Sequence, residues 1–175
     1  MGSTKRGKGT RLMVVADGNG LPIGLQVASA QPHELTLARS TLETVRVPRR
    51  RGRQRKRPQE LVADRAYDSQ AFREWLRKKG IRPTIPPIER KRKRPKRRRA
   101  AQVGPGYRER WKVERLFAWL GQYRRLVVRH ERLLEVFRGF VLVAFILICP
   151  RHYGQECQLF PPRYSILRKR LFTLL

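Results

Sequence analysis

The chain is predicted to be an α/β protein, because stretches of strand composition and stretches with helical apolar spacing alternate along it. Two β-rich runs flank Asp17-Gly18-Asn19-Gly20, a short apolar run closes at Asp64, and apolar residues recur with helical period at Val113, Leu116, Phe117 and Leu120. Asp-Gly and Asn-Gly supply the positive φ angles of tight turns, so the first feature is a β-hairpin. After it, Leu35, Leu37, Ala38 and Leu42 follow a helical rather than an alternating pattern. Leu61 to Ala63 reads as a strand. Ser69 is placed to cap a helix whose apolar face is Phe72, Trp75 and Leu76, and Gly80 stops it. "IRPTIPP" returns as a short strand closed by prolines. A helix follows over residues 108–120, and a last one spans roughly Leu133 to Cys149. The expected order is strand, strand, helix, strand, helix, strand, helix, helix, within a single domain over residues 1–150. Residues 151–175 carry a Pro-Pro break and lose this periodicity, and are expected to form a weakly ordered basic tail.

Composition narrows the function. Against 42 Lys and Arg stand 13 Asp and Glu, a formal charge of +29, and self-repulsion on that scale calls for a polyanionic partner. Nucleic acid fits best. The cations lie mostly in runs, over 46–57 and 90–99, without the amphipathic spacing of a lipid-facing helix. Cys149 and Cys157 form no C-x-x-C pattern, so neither a disulfide framework nor a zinc site is indicated, and a reducing cytoplasm fits. The N-terminus lacks a signal-peptide core. The apolar run Phe140–Cys149 is about half the roughly 20 residues a spanning helix needs, and is expected to be buried.

Acids are scarce enough for their positions to matter. The aspartates are Asp17, Asp64 and Asp68. Asp17 sits in the hairpin turn, where aspartate is favoured for turn geometry. Asp64 directly follows an apolar strand, where α/β sheets gather reactive groups, although a helix-capping aspartate would fit there too. Glu114 has Arg110 four residues before it, an arrangement that as an ordinary helix pair is worth about 0.2–0.5 kcal/mol. Two carboxylates brought together in a strongly cationic protein are what Mg²⁺ or Mn²⁺ needs for phosphoryl chemistry, which usually takes a third acid as well. His33 and Glu34 could approach such a site but are better read as the start of the first helix.

The blocks "GKGTRLMVVADGNGLPIG", "ASAQPHELTL", "LVADRAYDS", "GIRPTIPP" and "YRERWKVERLFAWLGQYRRLVVRHE" resemble, in order, landmarks of the DDE transposases of bacterial insertion sequences, in insertion-sequence families four and five. The resemblance covers about residues 4 to 150, and its most specific parts are Asp64-Arg65-Ala66-Tyr67-Asp68-Ser69 and the set Tyr107, Arg110 and Glu114. It implies a ribonuclease H-like fold with three metal-binding acids: one on the first strand, one after the fourth and one on a later helix. Asp64 matches the second and Glu114 the third. Tyr67 would support them, and Tyr107 and Arg110 match residues that contact DNA near the transposon end or organise the glutamate. Gly121 stands where the signature often has lysine, with Arg124 and Arg125 close by as substitute phosphate contacts. The first strand and its aspartate have no counterpart, so the chain resembles the C-terminal part of such an enzyme, either the downstream half of a frameshifted gene or a remnant.

The implied activity is metal-dependent phosphodiester cleavage at transposon ends and strand transfer into target DNA, in the cytoplasm at the nucleoid, with an upstream transposase half or an intact transposase as protein partner. This chain alone would show little activity. Arg90, Lys91, Arg92, Lys93, Arg94, Lys96, Arg97, Arg98 and Arg99 would join Arg124 and Arg125 in contacting DNA phosphates. The competing reading is a non-catalytic basic protein that binds DNA or RNA.

Overall fold

The computed structural model describes residues 2–4, 7–48, 52–88, 105–159 and 171–174. The hairpin forms as its turn chemistry dictates. Strand β2 (Gly7–Ala16) pairs antiparallel with β3 (Pro22–Ser29), from Thr10 opposite Ser29 to Ala16 opposite Pro22. In the turn, one Asp17 carboxylate oxygen accepts the Asn19 and Leu21 amides, both at 2.9 Å, and Gly20 takes φ +86°. A three-residue strand, β1 (Gly2–Thr4), precedes the hairpin and pairs with the start of β2.

Helix α1 (Glu34–Glu43) is capped by His33, whose Nδ1 accepts the Leu35 amide at 3.2 Å. The arginine-rich segment that follows is closed by an isolated antiparallel bridge between Val47 and Arg55. Strand β4 (Glu60–Ala63) runs into a 3₁₀ turn over Arg65–Tyr67 and then helix α2 (Gln70–Lys78). Ser69 occupies the N-cap position without a capping side-chain bond, and Gly80, at φ +74°, follows the helix as expected. Strand β5 (Arg82–Thr84) lies parallel to β4. A 3₁₀ segment, Pro105–Arg110, leads into α3 (Trp111–Leu120), followed by the single turn α4 (Arg124–Val127) and the long helix α5 (Leu134–Leu159).

Two features depart from the sequence expectation. Helix α5 continues through Pro150, where the missing amide forgoes one backbone bond without ending the helix, as far as Leu159. Residues Leu171–Leu174, expected to belong to a weakly ordered tail, form strand β6 in the middle of the sheet, antiparallel to β2 and parallel to β4. Across the sheet the order is therefore β3, β2, β6, β4, β5.

Strand alternation splits the core into two layers. Met13, Val15, Leu61 and Ala63 face α1 and α2 and bury Leu37, Ala38, Leu42, Phe72 and Leu76. On the other face, Val14 and Ala16 meet Val113, Leu116 and Leu120 of α3 and Phe137, Val141, Ala144, Phe145 and Ile148 of α5. The apolar run in α5 is buried on that side only; Val143 and Ile146 are exposed on the opposite side. Among the described residues, no helix is long and apolar enough to cross a membrane.

Candidate functional site

Asp64 owes its position to the end of β4. Its carboxylate caps the 3₁₀ turn by accepting the Arg65 amide at 2.7 Å. The same Oδ1 that caps the turn also lies 3.2 Å from Nη1 of Arg110. Helix α3 brings the other half. Arg110 stands at its N-cap position and reaches Glu114 one turn later, Nη2 to Oε1 2.9 Å. One guanidinium therefore joins two carboxylates from distant parts of the chain. The Asp64 and Glu114 side chains are 41% and 50% exposed, so both are accessible to a ligand. The Tyr107 ring lies against Arg110, with the guanidinium carbon 5.5 Å from the ring centre.

The position of α3 is fixed by contacts that the sequence reading missed. Lys112, buried against the sheet, donates to the Gly18 carbonyl at 2.8 Å and pairs with Glu109. Arg115 lies between Trp111 and Trp119, 4.6 and 4.7 Å from the ring centres, and donates to the Asn19 carbonyl at 3.3 Å. Together these cations clamp the helix that carries Glu114 onto the β2–β3 turn. The i, i+4, i+8 spacing of Trp111, Arg115 and Trp119 was the available sequence signal.

The other acids are engaged elsewhere. In the register, Ala63 shares a row with Leu174 and Val15, and Val62 shares one with Thr173 and Ala16. Asp64 therefore falls in the row of Val14, whereas Asp17 lies three rows along and two strands across, about 10 Å in each direction. Asp68 binds Arg73 and the Ile88 amide, each at 2.7 Å. Glu34 sits 3.9 Å from Arg11 and close to the Tyr67 phenol. Burial first, then the Glu34 and Asp64 charges, push that phenol well above its ordinary pKa, with Arg11 opposing. Tyr67 is buried in the core layer shared with α1 and α2, its hydroxyl 3.9 Å from the Met13 sulfur.

Arg124 is exposed at the start of α4, and Arg125 contacts Glu131 at 3.5 Å and the Phe140 ring at 5.3 Å. Arg90, Lys91, Arg92, Lys93, Arg94, Lys96, Arg97, Arg98 and Arg99 lie outside the described residues. In the other basic run, Arg46, Lys56 and Arg57 line a cavity with Trp75 and Lys79.

Asp64 and Glu114 flank a single cationic group, and their carboxylates are the oxygen donors there that could ligate a divalent ion. Among the described residues no group of three or more His, Cys, Asp or Glu that could hold a metal ion is assembled.

The model of the transposase DDE domain family matches residues 1–149, and the chain belongs to that family. The chain is also 34% identical over 142 residues to a Burkholderia cepacia protein named as a candidate transposase for the insertion sequence element IS402. That match covers 81% of this chain and 63% of the relative, so the chain spans less than two thirds of the relative's length. No solved structure matches the chain.

Proposed function

We propose that this chain is the part of an insertion-sequence transposase that supplies two of the three acids of a ribonuclease H-like active site, Asp64 and Glu114. The observation that carries the reading is the convergence of both carboxylates on Arg110 at the end of β4. The strand order, with parallel β4 and β5 beside an antiparallel hairpin and helices on both faces, is consistent with such a fold. When bound, Mg²⁺ or Mn²⁺ supplies Lewis-acid activation of the phosphodiester and its attacking oxygen. The protein's own part is positional: Asp64 and Glu114 offer oxygen ligands, and Arg110, backed by the Tyr107 ring, bridges the two carboxylates until an ion takes its place. The substrate is DNA, at transposon ends and then at a target. The arginine-rich runs over 46–57 and 90–99, with Arg124 and Arg125, hold its phosphates in the cytoplasm at the nucleoid.

A second reading, a basic DNA- or RNA-binding protein without catalysis, draws on one observation: the described residues assemble no third acid beside Asp64 and Glu114. Nicking of supercoiled plasmid separates the two. The chain as it stands should nick little with Mg²⁺ or Mn²⁺. Fused to an upstream strand bearing an aspartate it should nick, and Asp64→Asn or Glu114→Gln should abolish the gain. Strong nicking by the unfused chain, or a fusion indifferent to both substitutions, would overturn the assignment.

A further inference from the structure

On the face of the sheet away from α3, the entry of β4 and β5 opens into a cavity of about 290 Å³ that the Asp64 and Glu114 site does not use. Its buried wall is apolar, formed by Leu42, Pro58 and Ile81, and the half-buried Trp75 is its aromatic side. Four cations line it: Arg46, Lys56, Arg57 and Lys79. Among the described residues, Glu43 is the one acid on the lining.

Local structure gathers these charges. After α1 the chain turns back, and the Arg46 guanidinium donates to the Glu43 and Val45 carbonyls at 2.5 and 2.8 Å. The antiparallel bridge between Val47 and Arg55 then sets Lys56 across from Arg46. Lys79 is the C-cap of α2, one turn after Trp75. Among the described residues none of the four forms an ion pair with a carboxylate, whereas Arg11, Arg73, Arg82 and Arg110 each do. Like charges held together in this way repel one another, and a bound anion relieves the repulsion.

The aromatic side adds a second requirement. Phe72 stacks on Trp75, ring centres 6.0 Å apart and planes 11° from parallel, which fixes the indole, and Arg39 and Lys79 lie 5.6 and 5.7 Å from its centre. A bare phosphate would use the cations and leave the indole and the apolar wall idle. A flat ring that carries a phosphate uses all three. The volume is close to the roughly 300 Å³ lower end of small-molecule sites, which is room for one nucleotide and not for a duplex.

We propose that this cavity binds one unstacked nucleotide, its base against Trp75 and its phosphate on Arg46, Lys56 and Arg57. Single strands are held without sequence preference by this combination of aromatic stacking and a cationic track. A base in a duplex is already stacked and paired, so the cavity selects single strands. The four residues of β4, about 13 Å at strand rise, separate it from Asp64. The phosphate contacts rest on the DNA reading of the 46–57 run given above, while the base contact is new and draws on neither Asp64 nor Glu114.

The test is run in EDTA, so that divalent metal plays no part. The probes are a labelled thymidine hexanucleotide and an abasic hexamer of the same charge, followed by fluorescence anisotropy, with thymidine 5′-monophosphate as competitor. The hexanucleotide should bind roughly tenfold more tightly than the abasic hexamer. Trp75→Leu should erase that ratio and leave the abasic affinity unchanged, and Lys56→Gln combined with Arg57→Gln should weaken both hexamers. Loss of the ratio on adding the monophosphate assigns the cavity to free nucleotides, and its persistence assigns it to a nucleotide within a strand. In the unmodified chain, a hexanucleotide carrying 5-iodouracil should photocrosslink at Trp75. Equal affinity for the two hexamers overturns the nucleotide site and leaves the phosphate contacts standing. A ratio that survives in a folded Trp75→Leu chain, or crosslinks that fall only elsewhere, overturns it too. Failure of both hexamers to bind would overturn the DNA reading itself.

Discussion

Replacing Arg110 with glutamine should make the site bind Mn²⁺ more tightly, although it destabilises the fold. Arg110 balances Asp64 at 3.2 Å and Glu114 at 2.9 Å, and a divalent ion bound between the two acids must displace it from both. The three side chains are 29%, 41% and 50% exposed, so solvent screens the pairs and each is worth about 0.2–1 kcal/mol. Removing both relieves the competing cation of roughly 0.4–2 kcal/mol, which at about 1.4 kcal/mol per decade is a two- to thirtyfold gain in affinity. The assay is loss of the free Mn²⁺ electron paramagnetic resonance signal on titration, with the thermal midpoint followed in parallel. Tighter Mn²⁺ binding and a lower midpoint should appear together. Unchanged or weaker Mn²⁺ binding in a folded Arg110→Gln protein would show that Asp64 and Glu114 do not share an ion where the guanidinium now lies.

Neutralising Arg97, Arg98 and Arg99 together should flatten the slope of log DNA affinity against log salt by up to roughly three units, and an unchanged slope would mean that this run does not touch phosphate. Tyr67 should make the fold alkali-sensitive. Its folded pKa lies above the unfolded value of about 10, so its contribution is complete below pH about 10 and is lost as pH rises through the folded value. Urea midpoints from pH 8 to 11 should therefore fall less steeply for Tyr67→Phe than for the parent, and parallel curves would contradict the burial argument. Gly24→Ala should cost about 1–3 kcal/mol in urea unfolding, because the added methyl would meet Val45 at 2.9 Å in a packed layer; a neutral effect would show that β3 and the end of α1 are less tightly joined.

Much of the fold was legible because its signals are local. The Asp17–Gly20 turn chemistry, the apolar periods of α2 and α3, and the Gly80 stop each act within a few residues. Strand β6 was not legible. "LFTL" has no distinctive local signal and becomes a strand only because β2 and β4, distant in sequence, leave a channel between them. The same contrast holds within the site. The Arg110–Glu114 pair follows from i, i+4 spacing, whereas the Arg110–Asp64 contact depends on how α3 seats against the end of β4. That seating relies on Lys112 and Arg115, which in a sequence with 42 basic residues look like ordinary surface charge.

Fe²⁺-directed backbone cleavage decides whether Asp64 and Glu114 hold one divalent ion between them. With ascorbate and peroxide, Fe²⁺ bound in place of Mg²⁺ generates radicals that cut the polypeptide next to the ion. Cuts should fall at two places, beside Asp64 at the end of β4 and beside Glu114 in α3. Excess Mn²⁺ should suppress both, and both should disappear in Asp64→Asn and in Glu114→Gln. Cuts confined to other segments, or cuts at these two places that persist in both variants, would contradict it.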